Sequence, residues 1–289
     1  MTPMSGGLDW LAVGVVAEER AAGDGPGILG GGAARLVAHA AALHARTALV
    51  GKVGADDAGN RVRDSLERLG VDLRWLREAP DLRTTIWHQP DGDPQLRRLQ
   101  RGADLALRLD ELPPLSLAAA LTVVSGYSLS VEPGRSAALG ALTSAKARGG
   151  RSALLLEAEL LWWTNARMTR RVLEPALAAA DSVALHEADV RVLFGAADGR
   201  EAIRLLTDSG PRLVYLARPD GSVILGEAGR VHTCSGESGA DAPRDRYAGA
   251  AAFWVALAHR AAPRKAAADS VRYAQSVRRA GAPRQPAHA

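Results

Sequence analysis

The chain has 289 residues, a formal net charge of +4, 47% hydrophobic residues and 24% charged residues. A chain of this size can bury a core without disulfides or metals, and its single cysteine excludes a disulfide framework and a cysteine-based zinc site. Basic residues are spread along the chain, which argues against nucleic acid as a partner, and no apolar run of about 18 residues predicts a membrane span. Because no secretory signal is visible in the first residues, we expect a soluble cytoplasmic protein.

Strand-length apolar runs alternate with helical stretches along the chain. In chain order, the pattern predicts a strand at 10–14, a helix at 32–45, a strand at 47–50, a helix at 57–69, a hairpin at 84–100, a strand at 121–125, a helix at 133–148, strands at 153–156, 182–185 and 213–216 separated by helices, and a hairpin at 223–233. This alternation predicts a parallel central sheet with helices on both faces, to which the two hairpins are additions.

A glycine-rich segment, Gly25-Pro-Gly-Ile-Leu-Gly30, matches the dinucleotide pattern GxGxxG. That fingerprint requires its first glycine directly after a strand and an acidic residue about 20 positions later. Here the predicted strand ends near Gly14 and a polar loop intervenes. A glycine-rich loop is therefore favoured over a nicotinamide cofactor site.

A set of further motifs occurs in a fixed order. These are Gly30-Gly-Gly-Ala-Ala-Arg35 at a helix start, Val50-Gly-Lys-Val-Gly-Ala-Asp-Asp-Ala-Gly59 after a strand, Arg101-Gly-Ala-Asp104, Ser125-Gly-Tyr-Ser-Leu129 and Asp245-Arg-Tyr-Ala-Gly-Ala250 at the start of the last long region of helix. In this order and spacing they resemble the ribokinase-like sugar kinases, also called the PfkB family, over residues 8–283.

The resemblance implies a single domain, residues 1–289, with a three-layer α/β/α ribokinase-like fold. It implies a mostly parallel central sheet and a small β lid built from two segments, about 15–35 and 84–103. The second lid segment agrees with the hairpin predicted from the residues alone. The Pro- and Ala-rich tail, 284–289, is expected to be frayed.

The function that the resemblance implies is ATP- and Mg²⁺-dependent transfer of the γ-phosphoryl group to a hydroxymethyl group of a sugar or nucleoside. In the family, a GAGD segment at a helix start supplies the anion hole and the catalytic base. The aligned segment here is Ala242-Pro-Arg-Asp245, which makes Asp245 the candidate base and Pro243, Arg244 and Asp245 the anion hole. The alternative role for Asp245 is a helix N-cap, which aspartate also favours.

This segment departs from the family pattern at two positions. Pro243 has no N–H to donate, and Arg244 places a side chain where glycine allows close backbone approach. Losing one preorganised donor typically slows such reactions by about 10²- to 10³-fold. We expect the Arg244 guanidinium to compensate, which makes Arg244 a second candidate catalytic residue.

The candidate substrate residues also depart from the pattern. Glu19 aligns with the family's substrate-binding acid, Gly31 lies in the Gly-Gly segment, and Arg35 aligns with a substrate-binding Asn. Because arginine only donates hydrogen bonds, the ligand is expected to be more anionic than a free sugar. The family's Asp-Pro-Asn aligns with residues 157–159, of which Glu157 and Glu159 are acidic.

The nucleotide side retains acidic residues but few of the family's signature positions. Glu187 and Asp189 lie in the segment that aligns with the family's Asn-x-x-Glu motif, so they are candidates for the outer shell of Mg²⁺, with a charged helix start as the alternative. Arg218 and Gly221 lie in the aligned nucleotide loop, and Gln275 lies near the implied adenine pocket.

Two functional hypotheses follow. The first is an ATP-dependent sugar or nucleoside kinase, and the second is a kinase-fold ligand-binding or regulatory protein without efficient catalysis. The number of departures keeps the second hypothesis open. Lid strands with exposed edges also make a homodimer through the lid an expectation.

Overall fold

A computed structural model describes residues 7–21, 25, 27–89, 98–157, 166–194, 198–235 and 246–280. The strands are β1 (Leu8–Val13), β2 (Ala17–Ala21), β3 (Ile28–Gly30), β4 (Thr47–Gly54), β5 (Leu76–Ala79), β6 (Thr85–Gln89), β7 (Arg98–Gln100), β8 (Ala119–Ser125), β9 (Arg151–Leu155), β10 (Ser182–His186), β11 (Leu213–Ala217), β12 (Val223–Glu227) and β13 (Arg230–Cys234). The helices are α1 (Gly32–Ala42), α2 (Asp57–Arg68), α3 (Gly134–Ser144), α4 (Ala166–Ala179), α5 (Glu187–Phe194), α6 (Gly199–Asp208), α7 (Arg246–Ala258) and α8 (Pro263–Ala280).

Nine strands form the central sheet in the order β13-β12-β11-β10-β9-β8-β1-β4-β5. The seven strands from β11 to β5 pair in parallel, and only β12 and β13 run antiparallel to their neighbours. Successive side chains of a strand point to opposite faces, and β1 shows the result: Trp10 and Ala12 pack into one core, Leu11 and Val13 into the other. The mostly parallel sheet predicted from the alternating pattern is therefore confirmed.

Helices cover both faces of this sheet. Apolar side chains of α1, α2, α7 and α8 fill the core on one face, and those of α3, α4, α5 and α6 fill the core on the other. Trp254 of α7 meets Trp10 of β1 edge to face, with ring centroids 6.1 Å apart, and its indole N–H donates to Ser182 Oγ at 3.0 Å. Helix α7 is therefore seated firmly on the sheet, and the three-layer α/β/α architecture is confirmed.

A separate four-stranded sheet, in the order β3-β2-β6-β7, forms the small β lid. Glu18 of β2 is fully buried and accepts hydrogen bonds from Arg61 Nε at 2.6 Å and Arg20 Nε at 2.8 Å. Burial acts to raise the pKa of Glu18, but the two guanidinium groups outweigh it and hold the pKa below its usual value. An ionised carboxylate therefore joins the lid to α2 of the main body.

Asp56 joins the root of the lid to the main body at a second point. It is the N-cap of α2, where its Oδ1 accepts the Gly59 N–H at 2.9 Å. The same carboxylate accepts the Thr84 hydroxyl at 2.6 Å and the Thr84 N–H at 2.9 Å, and the Thr84 hydroxyl accepts the Gly54 N–H at 2.9 Å. One side chain therefore caps a helix and fixes the segment that leads into β6.

The return from the lid is held by Asp104, which is buried. Its carboxylate accepts hydrogen bonds from Thr85 Oγ1, from Arg101 and, at 3.1 Å, from Tyr127 Oη. The Arg101 guanidinium carbon lies 4.5 Å from the centre of the Tyr127 ring. Burial raises the pKa of Tyr127 above its usual value, so the phenol stays protonated and donates to Asp104.

Sequence and structure differ mainly at short elements. Strand β5 is absent from the predicted pattern, and the segment expected to be a glycine-rich loop contains β3. The helix expected at 133–148 ends as α3 at Ser144 and is followed by a short 3-10 turn. In the part of the chain that the structure describes, no helix is long and apolar enough to cross a membrane. The tail 284–289 and parts of both lid segments lie outside the described residues.

Candidate active site

The candidate site lies at the carboxyl-end edge of the central sheet, where β1, β8, β9 and β10 end. Strand β1 lies between β4 and β8. The strand after β4 in the sheet is β5 and the strand after β8 is β9, so the order of the strands extends in opposite directions from β1. Open α/β sheets bind ligands outside the carboxyl ends of strands at such a switch point. Strand β2, the first strand of the lid, follows β1 after a short connection, so it begins at this edge.

Two glycines allow α1 to begin close to this edge. Gly31 is the N-cap of α1 with φ of 84°, a backbone conformation that favours glycine, and a Cβ there would come within 2.5 Å of the Val15 carbonyl oxygen. A Cβ on Gly32 would lie 2.5 Å from Oε1 of Glu157. The start of α1 is thus packed against both the exit of β1 and the segment after β9.

Glu19 and Arg35 meet between the lid and α1. Glu19 is on β2 and Arg35 is in the first turn of α1, and Arg35 Nη1 lies 2.9 Å from Glu19 Oε2. The two side chains are 21% and 16% exposed, so the ion pair is largely shielded from water. The Arg35 guanidinium carbon also lies 5.2 Å from the centre of the Tyr247 ring, in the first turn of α7. The positive charge of Arg35 is therefore already balanced by Glu19, which weakens the expectation of an anionic ligand.

Glu157 lies at the centre of the site, two residues after β9. It is 3% exposed, and its carboxylate accepts hydrogen bonds from Ser125 Oγ, from Tyr247 Oη at 3.2 Å and from the Tyr127 N–H at 3.5 Å. Burying a carboxylate is costly unless donors surround it. Glu157 therefore joins the ends of β8 and β9 to the first turn of α7.

The nucleotide-side candidates lie at the ends of β10 and β11. Asp189 is fully buried and accepts the His186 N–H at 2.8 Å, so its carboxylate caps the start of α5. Glu187 Oε1 lies 3.4 Å from Arg218 Nε, and the Gly221 N–H closes the turn after β11 by donating to the Arg218 carbonyl at 3.0 Å. Gly221 has φ of 79°, a backbone conformation that favours glycine.

Gln275 lies in α8, which packs against β12 and β13. Its Nε2 is buried and has no hydrogen-bond partner among the described residues. A buried amide donor without an acceptor costs free energy, so a ligand that offers an acceptor would stabilise it. Nitrogen acceptors on an adenine ring fit this requirement.

Glu187 and Asp189 do not form a metal site by themselves. Within the described ranges, no group of three or more His, Cys, Asp or Glu side chains is placed to hold a metal ion. Glu187 faces Arg218, and Asp189 caps a helix. A magnesium ion that arrives with nucleotide phosphates, with these carboxylates outside its first shell, is compatible with this arrangement.

Three predicted residues cannot be placed. Pro243, Arg244 and Asp245 lie outside the described residues, directly before α7. The structure brings together Glu19, Arg35 and the start of α1 at Gly31, and separately Glu187 with Arg218.

Glu157 and Tyr247 also contact this group, although the sequence did not single them out as site residues. The sequence does carry a signal for each of them. Glu157 is an acidic residue directly after the strand predicted at 153–156, and Tyr247 lies two positions after the candidate base.

Comparison with known proteins identifies the family. The profile of the pfkB family carbohydrate kinases matches residues 15–236, which is more than half of the chain. The chain belongs to the PfkB family of carbohydrate kinases. The sequence-based prediction of a PfkB sugar kinase is therefore confirmed, and nothing in the comparisons favours the alternative of a binding protein without efficient catalysis.

Individual relatives of this kinase agree with the family. A fructokinase of Klebsiella pneumoniae is 30% identical over 217 residues, which are 72% of this chain and 70% of the relative. A crystal structure of aminoimidazole riboside kinase from Salmonella enterica, in complex with aminoimidazole riboside and an ATP analogue, has a TM-score of 0.80 at 19% identity and covers 93% of this chain and 91% of that one. Fructokinase from Vibrio cholerae O395, with fructose, ADP and calcium ion bound, has a TM-score of 0.80 at 21% identity over 93% and 91% of the two chains. These two structures confirm the fold.

Proposed function

We propose that this kinase transfers the γ-phosphoryl group of ATP to a hydroxymethyl group of a small sugar, with fructose as the first substrate to test. The curated relative named above is a fructokinase at 30% identity. Aminoimidazole riboside, the ligand of a similar structure, makes a nucleoside the second substrate to test. The observation that carries the proposal is the shielded carboxylate of Glu19, held by Arg35 beside the start of α1.

On the substrate side, Glu19 accepts hydrogen bonds from sugar hydroxyl groups. Arg35 donates to one oxygen of this carboxylate, and a carboxylate can accept several hydrogen bonds at once. The close approach at Gly31 lets the sugar lie against the first turn of α1, where backbone N–H groups point toward the ligand. A neutral polyol fits this pair better than an anion does, because Glu19 already balances the charge of Arg35.

In the chemical step, Asp245 accepts the proton of the hydroxymethyl group. The hydroxyl oxygen forms a bond to the γ-phosphorus, the bond to the β,γ-bridging oxygen breaks, and ADP leaves. The backbone N–H groups of residues 244 and 245 and the Arg244 guanidinium stabilise the charge that develops on the transferred group. Arg244 compensates for the donor that Pro243 lacks.

On the nucleotide side, Arg218 and Gly221 bind phosphate or ribose groups, and Gln275 donates to the adenine ring. Glu187 and Asp189 would lie in the outer shell of a Mg²⁺ ion, which would supply charge neutralisation at the nucleotide phosphates when bound. We also propose the cytoplasm, where ATP is available, as the location of this kinase, and a homodimer through the exposed lid edges.

Two assays test the proposal. Coupled ADP release with ATP and Mg²⁺ measures transfer to fructose, ribose, other sugars and nucleosides, and thermal shift with the same compounds measures binding. Asp245→Asn should lower turnover by about 10²- to 10⁴-fold without abolishing the thermal shift with ATP. The matched control is Asp198→Asn, because Asp198 is the N-cap of α6 and accepts the Arg200 and Glu201 N–H groups.

The outcomes separate the alternatives. Wild-type turnover by Asp245→Asn would show that Asp245 is not the base and only caps a helix, as Asp198 does. Ligand binding without ADP release by the wild type would favour the binding-protein hypothesis. Unchanged turnover by Arg244→Ala would remove the compensating role of that guanidinium.

A further inference from the structure

Four side chains from four separate elements form a continuous chain of contacts across the site. Glu19 of β2 pairs with Arg35 of α1, and Arg35 lies over the ring of Tyr247 in α7. The hydroxyl of Tyr247 donates to Glu157, which follows β9. We call these residues, Glu19, Arg35, Tyr247 and Glu157, the Glu–Arg–Tyr–Glu relay.

Tyr247 is the member that joins the two halves of this relay. Its ring supplies the negative π-face that attracts the Arg35 guanidinium, with 5.2 Å between the guanidinium carbon and the ring centre. Its hydroxyl lies 3.2 Å from Glu157 Oε1. Since the ring is rigid, a shift of the first turn of α7 would disturb both contacts together.

Glu157 gives the relay its fixed end. The carboxylate is buried, it accepts the Ser125 hydroxyl and the Tyr127 N–H from the end of β8, and it lies against the start of α1 at Gly32. The negative charge lies where the positive end of the α1 dipole favours an anion. Glu157 is thus held by the ends of two strands and by a helix start independently of its contact with Tyr247.

We propose that Glu157 and Tyr247 are positioning residues, which set the first turn of α7 and, through Arg35, the substrate carboxylate of Glu19. This inference rests on the proposed sugar kinase function and adds two residues that act through their neighbours. The relay fixes the distance between the lid, which contacts the sugar, and the helix that begins directly after the candidate base.

The proposal predicts a specific kinetic signature for two conservative variants. Tyr247→Phe retains the ring over Arg35 and removes the hydroxyl that donates to Glu157, and Glu157→Gln retains the size of the side chain and removes its charge. Each should lower kcat/KM for the sugar by about 10-fold, because the hydrogen bond to a charged acceptor is lost in Tyr247→Phe and weakened to a neutral one in Glu157→Gln. The KM for ATP should change less than about 2-fold, because the contacts described for the two residues lead to Arg35 and to the residues at the end of β8.

A double variant and a matched control complete the experiment. Tyr247→Phe with Glu157→Gln should be no worse than about the poorer single variant, because both changes act on the same contact, which Tyr247→Phe removes and Glu157→Gln weakens. The control is Tyr215→Phe, which removes another buried tyrosine hydroxyl on the α7 side of the sheet, one that contacts Ser270 Oγ at 3.1 Å. It should lower stability while leaving the sugar KM and kcat at wild-type values.

Each outcome decides a different question. If the wild type shows no transfer to any sugar, the proposed function fails and the positioning role fails with it. If the wild type is active and the two variants lose stability but keep wild-type sugar kinetics, only the positioning role is overturned. Additive losses in the double variant, or equal losses in the KM for ATP, would overturn it as well. Thermal unfolding of every variant confirms that the folded protein is compared.

Discussion

Replacing Gly31 with alanine tests whether α1 begins as tightly against the exit of β1 as its geometry requires. The backbone of Gly31 has φ of 84° and ψ of 136°, a region that other residues enter at a cost of about 1–3 kcal/mol. The new Cβ would lie 2.5 Å from the Val15 carbonyl oxygen and 3.0 Å from the Ala17 backbone nitrogen. Moving backbone out of such an overlap costs about another 1–3 kcal/mol. We therefore expect Gly31→Ala to lower the free energy of unfolding by about 2–6 kcal/mol.

Gly70→Ala is the matched control for backbone strain alone. Gly70 also has a positive φ, 74°, but a Cβ there would meet nothing within 4 Å. The control should therefore lose only about 1–2 kcal/mol. The difference between the two variants isolates the overlap with the backbone between Val15 and Ala17.

Urea unfolding gives both free energies, and sugar kinetics give the functional consequence. The Arg35 N–H donates to the Gly31 carbonyl at 2.9 Å, so a displaced Gly31 should move Arg35 and raise the sugar KM. The KM for ATP should stay near its wild-type value. Equal losses of stability for Gly31→Ala and Gly70→Ala, with an unchanged sugar KM, would refute the packing described for the start of α1.

Three further predictions follow from buried groups. Because the pKa of Glu18 is lowered in the folded protein, the contribution of Glu18 to the free energy of unfolding is complete above the ordinary glutamate pKa of about 4.3 and is lost as pH falls through the lowered pKa. Glu18→Gln should therefore make the free energy of unfolding, measured with urea, less dependent on pH at the acid end. Gln275→Leu should leave the unfolding free energy unchanged or higher by about 1 kcal/mol while raising the KM for ATP, because it removes a buried amide donor that has no partner among the described residues; an unchanged KM would place the adenine elsewhere. Gly249→Ala places a Cβ 2.5 Å from Tyr215 Oη and should cost about 1–2 kcal/mol, and adding Tyr215→Phe should recover most of this loss in thermal unfolding; no recovery would show that the hydroxyl is not the obstacle.

The sequence predicts the main body of the fold because its signals are local. Strands β1, β4 and β8 are apolar runs, and α2 starts with an aspartate cap, so periodicity and capping are enough to predict them. Strand β5 could not be predicted this way, because it is four residues long and two of them are exposed. Strand β3 lies in a glycine-rich segment, where only pairing with β2 makes the chain extend.

The candidate site is less accessible to sequence reasoning. Alignment by resemblance points to Glu19 and Arg35 one at a time, as departures at a carboxylate and an amide position. Their pairing across 16 residues, and the connection through Tyr247 to Glu157, depends on how the lid and α7 meet the sheet. In the structure two of the departures, Glu19 and Arg35, form one ion pair, and a third, Glu157, is connected to them through Tyr247. A count of departures therefore overstated the case for a protein without efficient catalysis.

Asp56 carries a consequence for remodelling this enzyme. Because one carboxylate caps the start of α2 and also binds Thr84, grafting a foreign lid would disturb a helix in the main body even if every new strand folded well. A chimaera that retains Gly54, Asp56 and Thr84 together would keep the contacts that fix the lid to α2. The boundaries of an exchanged segment should therefore lie outside these three positions.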